Sequence, residues 1–280
     1  MTLAVTATTR LAGVVGAPIS HSLSPLIHNA WIDACGLDAV YVAFPVAPSG
    51  LASLVEAFRG GLVLGLNITA PFKEQALLLA NQASLRAQDA GAANLLLFRG
   101  NGTVEADNTD GEGLLGALLG QGAPFDPRAR PSLVLGAGGA ARGAVSALLK
   151  AGAPGVFIVN RDRARGEALA KSFGERASAP SSQETKMAMA SVGAVINATP
   201  AGLEAASQNG VDLAALAIDA VVMDMAYRPL ITPLLASARA RGLTTVDGLE
   251  MLIGQARPSF EAIFGRPSPN LNVRSLVLGS

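Results

Sequence analysis

A lysine stands at the start of a predicted helix, where helix electrostatics favour acidic side chains. It is Lys73, in the segment Leu66–Glu74, which reads LNITAPFKE. Pro71 has the fixed φ suited to a first helical position, so Lys73 is predicted to lie in the first turn, at the positive end of the helix macrodipole. A lysine that is merely solvated, with Glu74 softening the mismatch, is the alternative, and this segment alone does not decide between it and chemistry.

Two serines one residue apart, Ser22 and Ser24, form a second pattern that could do chemistry. Ser24 before Pro25 is a good helix N-cap and first-turn pair, which would explain Ser24 but not Ser22. Two hydroxyls at the mouth of a loop can instead bind a carboxylate or a polyol. The spacing of His21 and His28 matches no metal motif, and no Cys or acidic cluster completes a site, so no metal is expected.

The composition predicts a globular, core-rich protein and argues against several kinds of partner. Half of the 280 residues are apolar, and Lys+Arg balance Asp+Glu at 21 each, so neither nucleic acid nor a membrane is an expected partner. The single Cys35 excludes a disulfide framework within the chain and suits a reducing compartment. No apolar run is long enough to span a bilayer, and the first residues do not resemble a signal peptide, so a cytoplasmic location is expected.

Short β-rich runs alternate with longer helical patterns, which predicts an α/β fold with mainly parallel sheets. The predicted strands are Leu11–Val15, Val40–Phe44, Leu62–Asn67, Asn94–Phe98, Leu133–Leu135, Val156–Val159, Ala194–Asn197, Val221–Met223 and Thr244–Val246. The predicted helices include Pro25–Ala34, Leu51–Arg59, Pro71–Ala80, Gly139–Ala151 and Ile231–Arg241. Asn101-Gly102 between β-type runs predicts an antiparallel hairpin. The glycine-rich stretch Asn108–Gln121 is predicted to mark a boundary between two domains.

The segment Ser132–Arg142 predicts a dinucleotide site. It contains a strand, then Gly136-Ala137-Gly138-Gly139-Ala140, and then a helix rich in Ala and Leu. Small residues allow a tight turn, close backbone approach to a pyrophosphate and close helix–strand contact, and the amides at the helix N-terminus receive the anion. A glycine-rich turn without a ligand is the alternative, which the strand–turn–helix context disfavours.

The residues after the next strand bear on which dinucleotide is bound. Asn160, Arg161 and Arg165 follow that strand, about where a dinucleotide fold meets the adenosine ribose. Guanidinium groups match a 2′-phosphate in charge and forked geometry, so NADP is favoured over NAD. Asp162 leaves room for NAD, because it could accept a ribose hydroxyl or pair with an arginine, and Arg163 could lie on a solvated helix face.

The motifs of this sequence resemble those of one family, the shikimate dehydrogenases, over nearly the whole chain. In the first half they are Pro18-Ile19-x-His21-Ser22-x-Ser24-Pro25, Asn67-Ile68-Thr69-x-Pro71-x-Lys73 and Asn108-Thr109-Asp110-Gly111. In the second half they are Gly136-Ala137-Gly138-Gly139-Ala140, Asn160-Arg161, Asn197-Ala198-Thr199-Pro200, Asp224-x-x-Tyr227 and Asp247-Gly248-Leu249-x-Met251-Leu252-x-x-Gln255. Several of these motifs are specific to that family.

The resemblance implies NADP-linked interconversion of shikimate and 3-dehydroshikimate, in the pathway to chorismate and the aromatic amino acids. It also supplies a partner for Lys73, namely Asp110, although an Asp before Gly111 could equally cap the next helix. Lys73 would act as the acid–base residue that stabilises a developing alkoxide, and Asp110 would orient it. Which of the two formally carries the proton is not settled by the sequence.

The resemblance also carries over the other site residues, position by position. Ser22 and Ser24 would hold the substrate carboxylate. The residues implied to meet ring hydroxyls or face the substrate are Thr69, Asn94, Asp110, Gln255 and Tyr227. The residues implied to hold the cofactor beyond the glycine-rich turn are Asn160, Arg161, Arg165, Thr199, Met225 and Gly248. Alone, Asn94, Tyr227 and Gln255 could be ordinary strand-edge, turn and helix-face residues.

The implied architecture has two domains, with the active site in the interdomain cleft. Residues 1–110 and 249–280 are predicted to form an α/β substrate-binding domain, because Gln255 belongs with the first-half site. Residues 111–248 are predicted to form a Rossmann-like NADP-binding domain. The glycines near 111–122 and Gly248 are predicted hinges for closure. The oligomeric state stays open, with a homodimer among the options.

Two rival functions remain at this point. The nearest is a quinate/shikimate dehydrogenase with relaxed substrate or NAD use, although Ser24, in place of the bulkier threonine of quinate-using relatives, favours shikimate. The rival from another class is a catalytically silent NADP-binding regulatory protein, because fold does not determine function. That rival is disfavoured because Lys73 and Asp110 are both present.

Overall fold

A computed structural model describes residues 5–120, 125–200 and 202–279. The chain divides into two compact units, residues 1–109 with 252–280, and residues 110–251. This division places Asp110 and residues 249–251 in the second unit, whereas the sequence assigned them to the substrate domain. Which ligand each unit binds stays a prediction.

The first unit contains a mixed sheet of order β2-β1-β3-β5-β6-β4. Its strands are β1 (Arg10–Gly16), β2 (Ala39–Pro45), β3 (Val63–Ile68), β4 (Gln82–Ala83), β5 (Leu95–Phe98) and β6 (Val104–Asp107). The helices between them are α1 (Ser24–Ala34), α2 (Leu51–Ala57), α3 (Lys73–Leu79) and α4 (Leu85–Ala90). β1 pairs in parallel with β2 and β3, whereas β5 is antiparallel to both β3 and β6. The predicted hairpin is therefore confirmed, with Gly102 at its turn in a left-handed conformation (φ 82°).

The second unit contains a parallel sheet of order β12-β11-β10-β7-β8-β9. Its strands are β7 (Ser132–Leu135), β8 (Val156–Val159), β9 (Ala177–Ser178), β10 (Ala194–Asn197), β11 (Val221–Asp224) and β12 (Thr244–Val246). Its helices are α5 (Asp110–Gly120), α6 (Gly139–Lys150), α7 (Arg163–Phe173), α8 (Ser182–Ala188), α9 (Leu203–Gln208) and α10 (Pro233–Ala240). Two further helices follow, α11 (Gly248–Phe264) and α12 (Val273–Leu278). Short 3₁₀ turns cover Gly174–Arg176, Met189–Ser191 and Leu213–Ala215.

The parallel sheet is buried on both faces. Along β7, Val134 packs into one apolar cluster, whereas Leu133 and Leu135 pack into another. Alternate residues of a strand point to opposite faces, so the two clusters lie on the two sides of the sheet. A parallel sheet covered on both faces is the Rossmann-like arrangement, and the α/β prediction is confirmed.

The glycine-rich stretch predicted as a boundary is a helix in the structure. Gly111, Gly113, Gly116 and Gly120 all belong to α5, and Gln121 lies outside the described residues. A Cβ on Gly111 would lie 2.9 Å from the Cβ of Ala147 in α6, so Gly111 allows the two helices to approach closely. The first unit ends at Thr109, so the predicted boundary falls at the start of this helix. The glycines themselves lie in a helix and not in a linker, and glycine at a tight helix contact looks the same in a sequence as glycine in a turn.

None of the helices in the described part of the chain is long and apolar enough to cross a membrane.

Candidate active site

The serine pair lies in the loop between β1 and α1. Ser24 is the first residue of α1, and Leu23 occupies the N-cap position, so the prediction that Ser24 caps the helix was wrong. The hydroxyl oxygen of Ser22 instead accepts the backbone N–H of Ser24 at 3.3 Å. Ser22 is therefore the serine with a structural role, while the side chain of Ser24 is buried without a capping hydrogen bond.

Thr69 lies at the carboxyl end of β3, beside the end of β1. Its backbone N–H donates to the carbonyl of Val15 at 2.9 Å. A Cβ on Gly16 would lie 2.6 Å from Cγ2 of Thr69, so the glycine leaves room for this side chain. The ends of the parallel strands β1 and β3 thus bring Thr69 to the loop that leads towards Ser22.

Lys73 is the first residue of α3, with Phe72 at the N-cap position. Its place in the first turn is confirmed, but the helix begins two residues later than Pro71, which follows a cis peptide bond. Lys73 is buried, with 9% of its surface exposed. Its backbone carbonyl accepts the N–H of Ala93 at 2.8 Å, which places Lys73 beside Asn94, the residue just before β5.

Asn94, Thr109 and Gln255 form one buried hydrogen-bonded cluster in the first unit. The backbone N–H of Thr109 donates to Oδ1 of Asn94 at 2.8 Å, and Nδ2 of Asn94 donates to Oγ1 of Thr109 at 2.9 Å. Nδ2 of Asn94 also donates to Oε1 of Gln255 at 3.2 Å. The structure therefore brings together two predicted substrate residues that are 161 positions apart in the chain.

Behind this cluster lies a second set of polar groups that the sequence did not single out as site residues. Oγ of Ser259 lies 3.1 Å from Oγ1 of Thr109 and accepts Nδ2 of Asn67 at 3.0 Å. The Tyr41 hydroxyl donates to Oδ1 of Asn67 at 2.8 Å. The signal available in the sequence was the spacing of Gln255 and Ser259, which places both on one face of a helix.

His28 is a core residue of this unit. Its ring stacks on Tyr41 with centroids 4.1 Å apart and meets the edge of Trp31 at 5.5 Å. Neither ring nitrogen has a hydrogen-bond partner within the part of the chain that the structure describes. Burial lowers the pKa of His28 to about 3, so the ring is neutral.

Asp110 is the first residue of α5 and is buried. An acid in the first turn is favourable to the helix dipole, so the structural interpretation of Asp110 and its predicted catalytic role remain compatible.

The glycine-rich turn follows β7. Gly136 has φ 116°, and a Cβ there would lie 3.1 Å from Cγ2 of Thr199, so only glycine suits the position. Gly138 is the N-cap residue of α6 and offers no side chain to the free amides of the first helical turn. Ala137, Gly139 and Ala140 complete a surface of small residues. This arrangement fits a pyrophosphate at the helix N-terminus.

Thr199, Met225 and Gly248 lie beyond the carboxyl ends of β10, β11 and β12. The Thr199 hydroxyl donates to Oδ1 of Asn197 at 2.7 Å. The backbone N–H of Met225 donates to the carbonyl of Asn197 at 3.0 Å. A Cβ on Gly248 would lie 2.3 Å from the carbonyl oxygen of Met225, so Gly248 is needed for this close approach.

Asp224 holds this edge of the sheet together. Its carboxylate accepts Nδ2 of Asn197 at 2.8 Å, the Thr232 hydroxyl at 2.7 Å and the backbone N–H of Ala226 at 3.0 Å. Tyr227 follows in the same turn and is partly buried. These three hydrogen bonds fix Asp224 at the start of the turn that contains Met225 and Tyr227.

A cavity of about 240 Å³ lies beyond the end of β8. Its lining residues are Val159, Asn160, Arg161, Thr199, Pro200, Glu204, Gln208 and Asn209. β7 and β10 are neighbours in this sheet, and successive strands are added on one side of β7 up to β9 and on the other side from β10 onwards. Ligands of open α/β sheets bind at such a switch point in the strand order. Arg161 is exposed.

The neighbours of Arg161 have structural roles. Oδ1 of Asp162 accepts the backbone N–H of Arg165 at 3.3 Å, so Asp162 is the N-cap of α7. Arg163 pairs with Glu167 at 2.7 Å on the exposed face of the same helix. The acid that left room for NAD in the sequence therefore has a role as a helix cap, and Arg163 is a surface residue.

The fold and the two sets of residues define a class of protein, an α/β protein with one Rossmann-like dinucleotide unit and one mixed α/β unit. Residues 14–96 match the family described as shikimate dehydrogenase substrate binding domain, and residues 126–252 match the family described as shikimate / quinate 5-dehydrogenase. A shikimate dehydrogenase (NADP(+)) from Caulobacter vibrioides is 53% identical over 279 residues, covering 99% of this chain and 98% of the relative. The chain belongs to the shikimate dehydrogenase family.

Solved structures agree with this assignment. Shikimate 5-dehydrogenase from Thermus thermophilus, in complex with NADP(H) and shikimate, is 35% identical with a TM-score of 0.81, over 93% of this chain and 95% of that one. Quinate dehydrogenase from Corynebacterium glutamicum, in complex with NAD, is 29% identical with a TM-score of 0.85, over 97% of this chain and 99% of that one. The resemblance found in the sequence motifs is thereby confirmed.

Proposed function

We propose that this protein is an NADP-dependent oxidoreductase that interconverts shikimate and 3-dehydroshikimate, with Lys73 as its acid–base residue. The observation that carries the proposal is the position of Lys73 in a member of this family. The side chain is buried at a helix N-terminus, and its backbone is hydrogen-bonded beside Asn94. Burial and the helix dipole both disfavour an ammonium group there, so a structural role would favour another residue.

Lys73 would move the proton of the reacting hydroxyl. During oxidation of shikimate the Lys73 amine accepts the proton of the hydroxyl as the carbon that bears this hydroxyl loses hydride, and the ammonium that forms stabilises the negative charge developing on the oxygen. In the reverse direction Lys73 donates a proton to the carbonyl oxygen. Because its amino group can rotate, the same lysine can reach both the hydroxyl oxygen of shikimate and the carbonyl oxygen of 3-dehydroshikimate.

Asp110 would orient Lys73. The backbone N–H of Thr109, the residue before Asp110, donates to Oδ1 of Asn94 at 2.8 Å, and Asn94 itself follows Ala93, which donates to the Lys73 carbonyl. These bonds tie the residue before Asp110 to Asn94, and the neighbour of Asn94 to the backbone of Lys73. A carboxylate held in this way can position a lysine without leaving its own charge uncompensated.

The substrate would be held by polar groups of the first unit. Ser22 and Ser24 are proposed to bind its carboxylate, and Thr69, Asn94 and Gln255 its ring hydroxyls. Asn94 and Gln255 are buried and joined by a hydrogen bond of 3.2 Å, so they would present a preorganised surface. Tyr227 is proposed to face the substrate from its turn beyond β11.

The cofactor would be held by the second unit. The turn Gly136–Ala140 is proposed to receive the pyrophosphate and Arg161, with Asn160 and Arg165, the 2′-phosphate. Met225 and Gly248, which meet at the ends of β11 and β12, are proposed to border the nicotinamide, and Thr199 to contact the cofactor beside Gly136. NADP, when bound, supplies or receives the hydride.

Absorbance at the reduced-nicotinamide band tests the proposal directly. Purified protein is mixed with shikimate and NADP, and NAD or quinate is then substituted for one of them. Fast reduction only with shikimate and NADP is the expected result. Comparable rates with quinate or NAD would move the assignment to a quinate/shikimate dehydrogenase with relaxed specificity.

The silent regulatory alternative makes a different prediction. A protein that binds NADP but reduces the cofactor in none of the three substrate–cofactor mixtures would be a sensor and not an enzyme. Binding of NADP measured by protein fluorescence or calorimetry separates this case from a misfolded preparation.

The cellular setting is part of the proposal. We expect a cytoplasmic enzyme, because Cys35 is the only cysteine of the chain and a reducing compartment suits it. Light scattering of the purified protein would decide between a monomer and the homodimer that the sequence left open.

A further inference from the structure

Two hydroxyl groups behind the proposed substrate residues take no part in the function proposed above. Thr109 and Ser259 both have 0% of their surface exposed, yet each contacts several polar side chains. We propose that Thr109 and Ser259 are positioning residues whose hydroxyl groups hold the amides of Asn94 and Gln255 in the orientation that meets the substrate. This inference rests on the proposed function, because it concerns the residues that would hold the ring hydroxyls of shikimate.

The orientation of the Asn94 amide follows from a backbone group. The backbone N–H of Thr109 can only donate, so the Asn94 atom that it meets at 2.8 Å is the oxygen Oδ1. The other amide atom is then Nδ2, which donates to Oγ1 of Thr109 at 2.9 Å and to Gln255 at 3.2 Å. Gln255 must therefore turn its oxygen towards Asn94.

A second backbone group gives the same orientation of Gln255 independently. Its other amide atom lies 3.0 Å from the carbonyl of Leu252, which can only accept, so that atom is Nε2. The orientation of the Gln255 amide deduced from Asn94 and the orientation deduced from the Leu252 carbonyl therefore agree. One N–H of the Gln255 amide has no acceptor among the residues that the structure describes. Gln255 therefore offers a donor, and not an acceptor, to a substrate hydroxyl.

Ser259 orients the Thr109 hydroxyl. Nδ2 of Asn67 donates to Oγ of Ser259 at 3.0 Å, and the Ser259 proton has an acceptor in the carbonyl of Gln255 at 3.0 Å. The remaining lone pair of Ser259 faces Oγ1 of Thr109 at 3.1 Å, so Thr109 can donate its proton there. Oγ1 of Thr109 is then left to accept from Nδ2 of Asn94, which is a second bond that holds the Asn94 amide, beside the one from the Thr109 backbone N–H.

A donor held in place on Gln255 would help the protein to discriminate between ligands with and without a ring hydroxyl. A donor from Gln255 favours a ligand that has a hydroxyl oxygen at the contacted ring position and discriminates against a ligand that has only hydrogen there. If Thr109 loses its hydroxyl, Nδ2 of Asn94 loses one acceptor while the bond from the Thr109 backbone N–H remains, so the Asn94 amide and the Gln255 amide bonded to it are held less firmly. The discrimination between the two ligands should then shrink.

The test compares shikimate with two analogues, each lacking one of the two ring hydroxyls that are not oxidised. In the wild-type protein, kcat/KM for the analogue that lacks the contacted hydroxyl should fall by roughly 2- to 10-fold, the range for one lost hydrogen bond. Thr109→Val removes the hydroxyl at nearly constant volume. It should raise KM for shikimate by a similar factor, leave the NADP dissociation constant within about twofold, and reduce the discrimination against that analogue.

Matched variants separate positioning from a general loss of structure. Thr109→Ser keeps the hydroxyl and should restore wild-type discrimination, and Ser259→Ala should reproduce the loss in a smaller degree. Thr185→Val removes a buried hydroxyl that donates to the carbonyl of Ser181 at 2.8 Å in the second unit, and should leave the kinetics unchanged.

Three results would overturn the inference. Unchanged kinetics in both Thr109→Val and Ser259→Ala would show that the hydroxyls have no influence on the substrate residues. An equal loss of kcat/KM for shikimate and both analogues, not restored by Thr109→Ser, would show that Thr109 and Ser259 are ordinary core residues. A wild-type protein that binds NADP but does not oxidise shikimate would overturn the proposed function itself, and the inference with it.

Discussion

Thr109 and Asn94 form a reciprocal pair, in which the Thr109 backbone N–H donates to Oδ1 of Asn94 at 2.8 Å and Nδ2 of Asn94 donates back to Oγ1 of Thr109 at 2.9 Å. Both side chains are buried. A pair that satisfies its own donors and acceptors in this way is rigid, because breaking either bond leaves a buried polar group without a partner. The segment that leads into Asp110 therefore starts from a fixed point.

Replacing Lys73 by alanine should abolish most turnover while leaving the cofactor bound. Loss of a positioned acid–base group lowers kcat by about 100- to 10,000-fold, whereas the NADP dissociation constant should change by no more than about threefold. Steady-state kinetics and NADP titration of the same preparation measure both. Lys171→Ala, on an exposed lysine of α7, is the matched control and should behave as wild type. A Lys73→Ala variant with near-normal kcat would refute the assigned role.

Arg161 and Arg163 should differ in their effect on cofactor choice, although they are two residues apart. Arg161 lines the cavity beyond β8, whereas Arg163 is paired with Glu167 on the outer face of α7. Arg161→Ala should weaken NADP binding by roughly 10- to 100-fold, with little effect on NAD, because a charge-assisted contact to the 2′-phosphate is lost. Arg163→Ala should change neither affinity. Equal effects of the two substitutions would place the 2′-phosphate elsewhere.

Substitutions of Asp162 should separate its structural role from its charge. Asp162→Asn keeps an N-cap oxygen and removes a negative charge next to Arg161, so NADP should bind tighter by up to about fivefold relative to NAD. Asp162→Ala removes the cap as well and should lower the free energy of unfolding by about 1 kcal/mol. Calorimetric titration and chemical denaturation give the two quantities. A loss of NAD binding in Asp162→Asn would contradict the cap interpretation, because it would show that the carboxylate accepts a ribose hydroxyl.

Two Gly→Ala substitutions should act with opposite sign. At Gly248 the added Cβ would lie 2.3 Å from the carbonyl oxygen of Met225, a backbone atom that cannot move aside cheaply, so destabilisation of roughly 1–3 kcal/mol is expected. At Gly116, in the exposed part of α5, the Cβ would meet nothing within 4 Å, and the better helix propensity of Ala should stabilise by about 0.5–1 kcal/mol. Thermal and urea unfolding of both variants measure the difference.

His28 should make the protein less stable as the pH falls. Its pKa is lowered by burial to about 3 from an ordinary 6.5, so between these values the unfolded chain binds a proton that the folded protein does not. The stabilisation is complete above pH 6.5 and decreases towards pH 3, by up to about 1.4 kcal/mol per pH unit. His28→Phe keeps the stack on Tyr41 and should flatten this dependence in urea unfolding series. His21→Gln, on the exposed histidine, is the control, and equal slopes in both variants would refute the assignment.

The second unit shows which features of a site can be predicted from residues that are close together in the sequence. The turn from Gly136 to Ala140 could be predicted because a strand, a left-handed glycine and a helix N-terminus lie next to one another in the chain. The roles of Asp162 and Arg163 could not, since an acid beside arginines is equally compatible with a cap, a surface ion pair or a ribose contact. Only the tertiary structure shows that the Asp162 carboxylate accepts the backbone N–H of Arg165.

Helix starts could be predicted only to within a residue or two. Pro71 and Ser24 both have the right chemistry for a helix start, yet α3 begins at Lys73 and α1 begins at Ser24 itself. Propensities near a helix end differ by little more than a kilocalorie per mole, so tertiary contacts shift the boundary by a residue or two.

By itself the sequence determined the alternation of strands and helices, the glycine turn and the family, because these depend on hydrophobic periodicity and on motifs within a few residues of one another. The tertiary structure alone decided that Asn94, Thr109, Gln255 and Ser259 share one buried hydrogen-bond network, and which atom each amide presents. Such contacts join residues up to 161 positions apart, and their geometry depends on how whole elements pack. No local rule encodes that packing, which is why the orientation of a single amide had to await the structure.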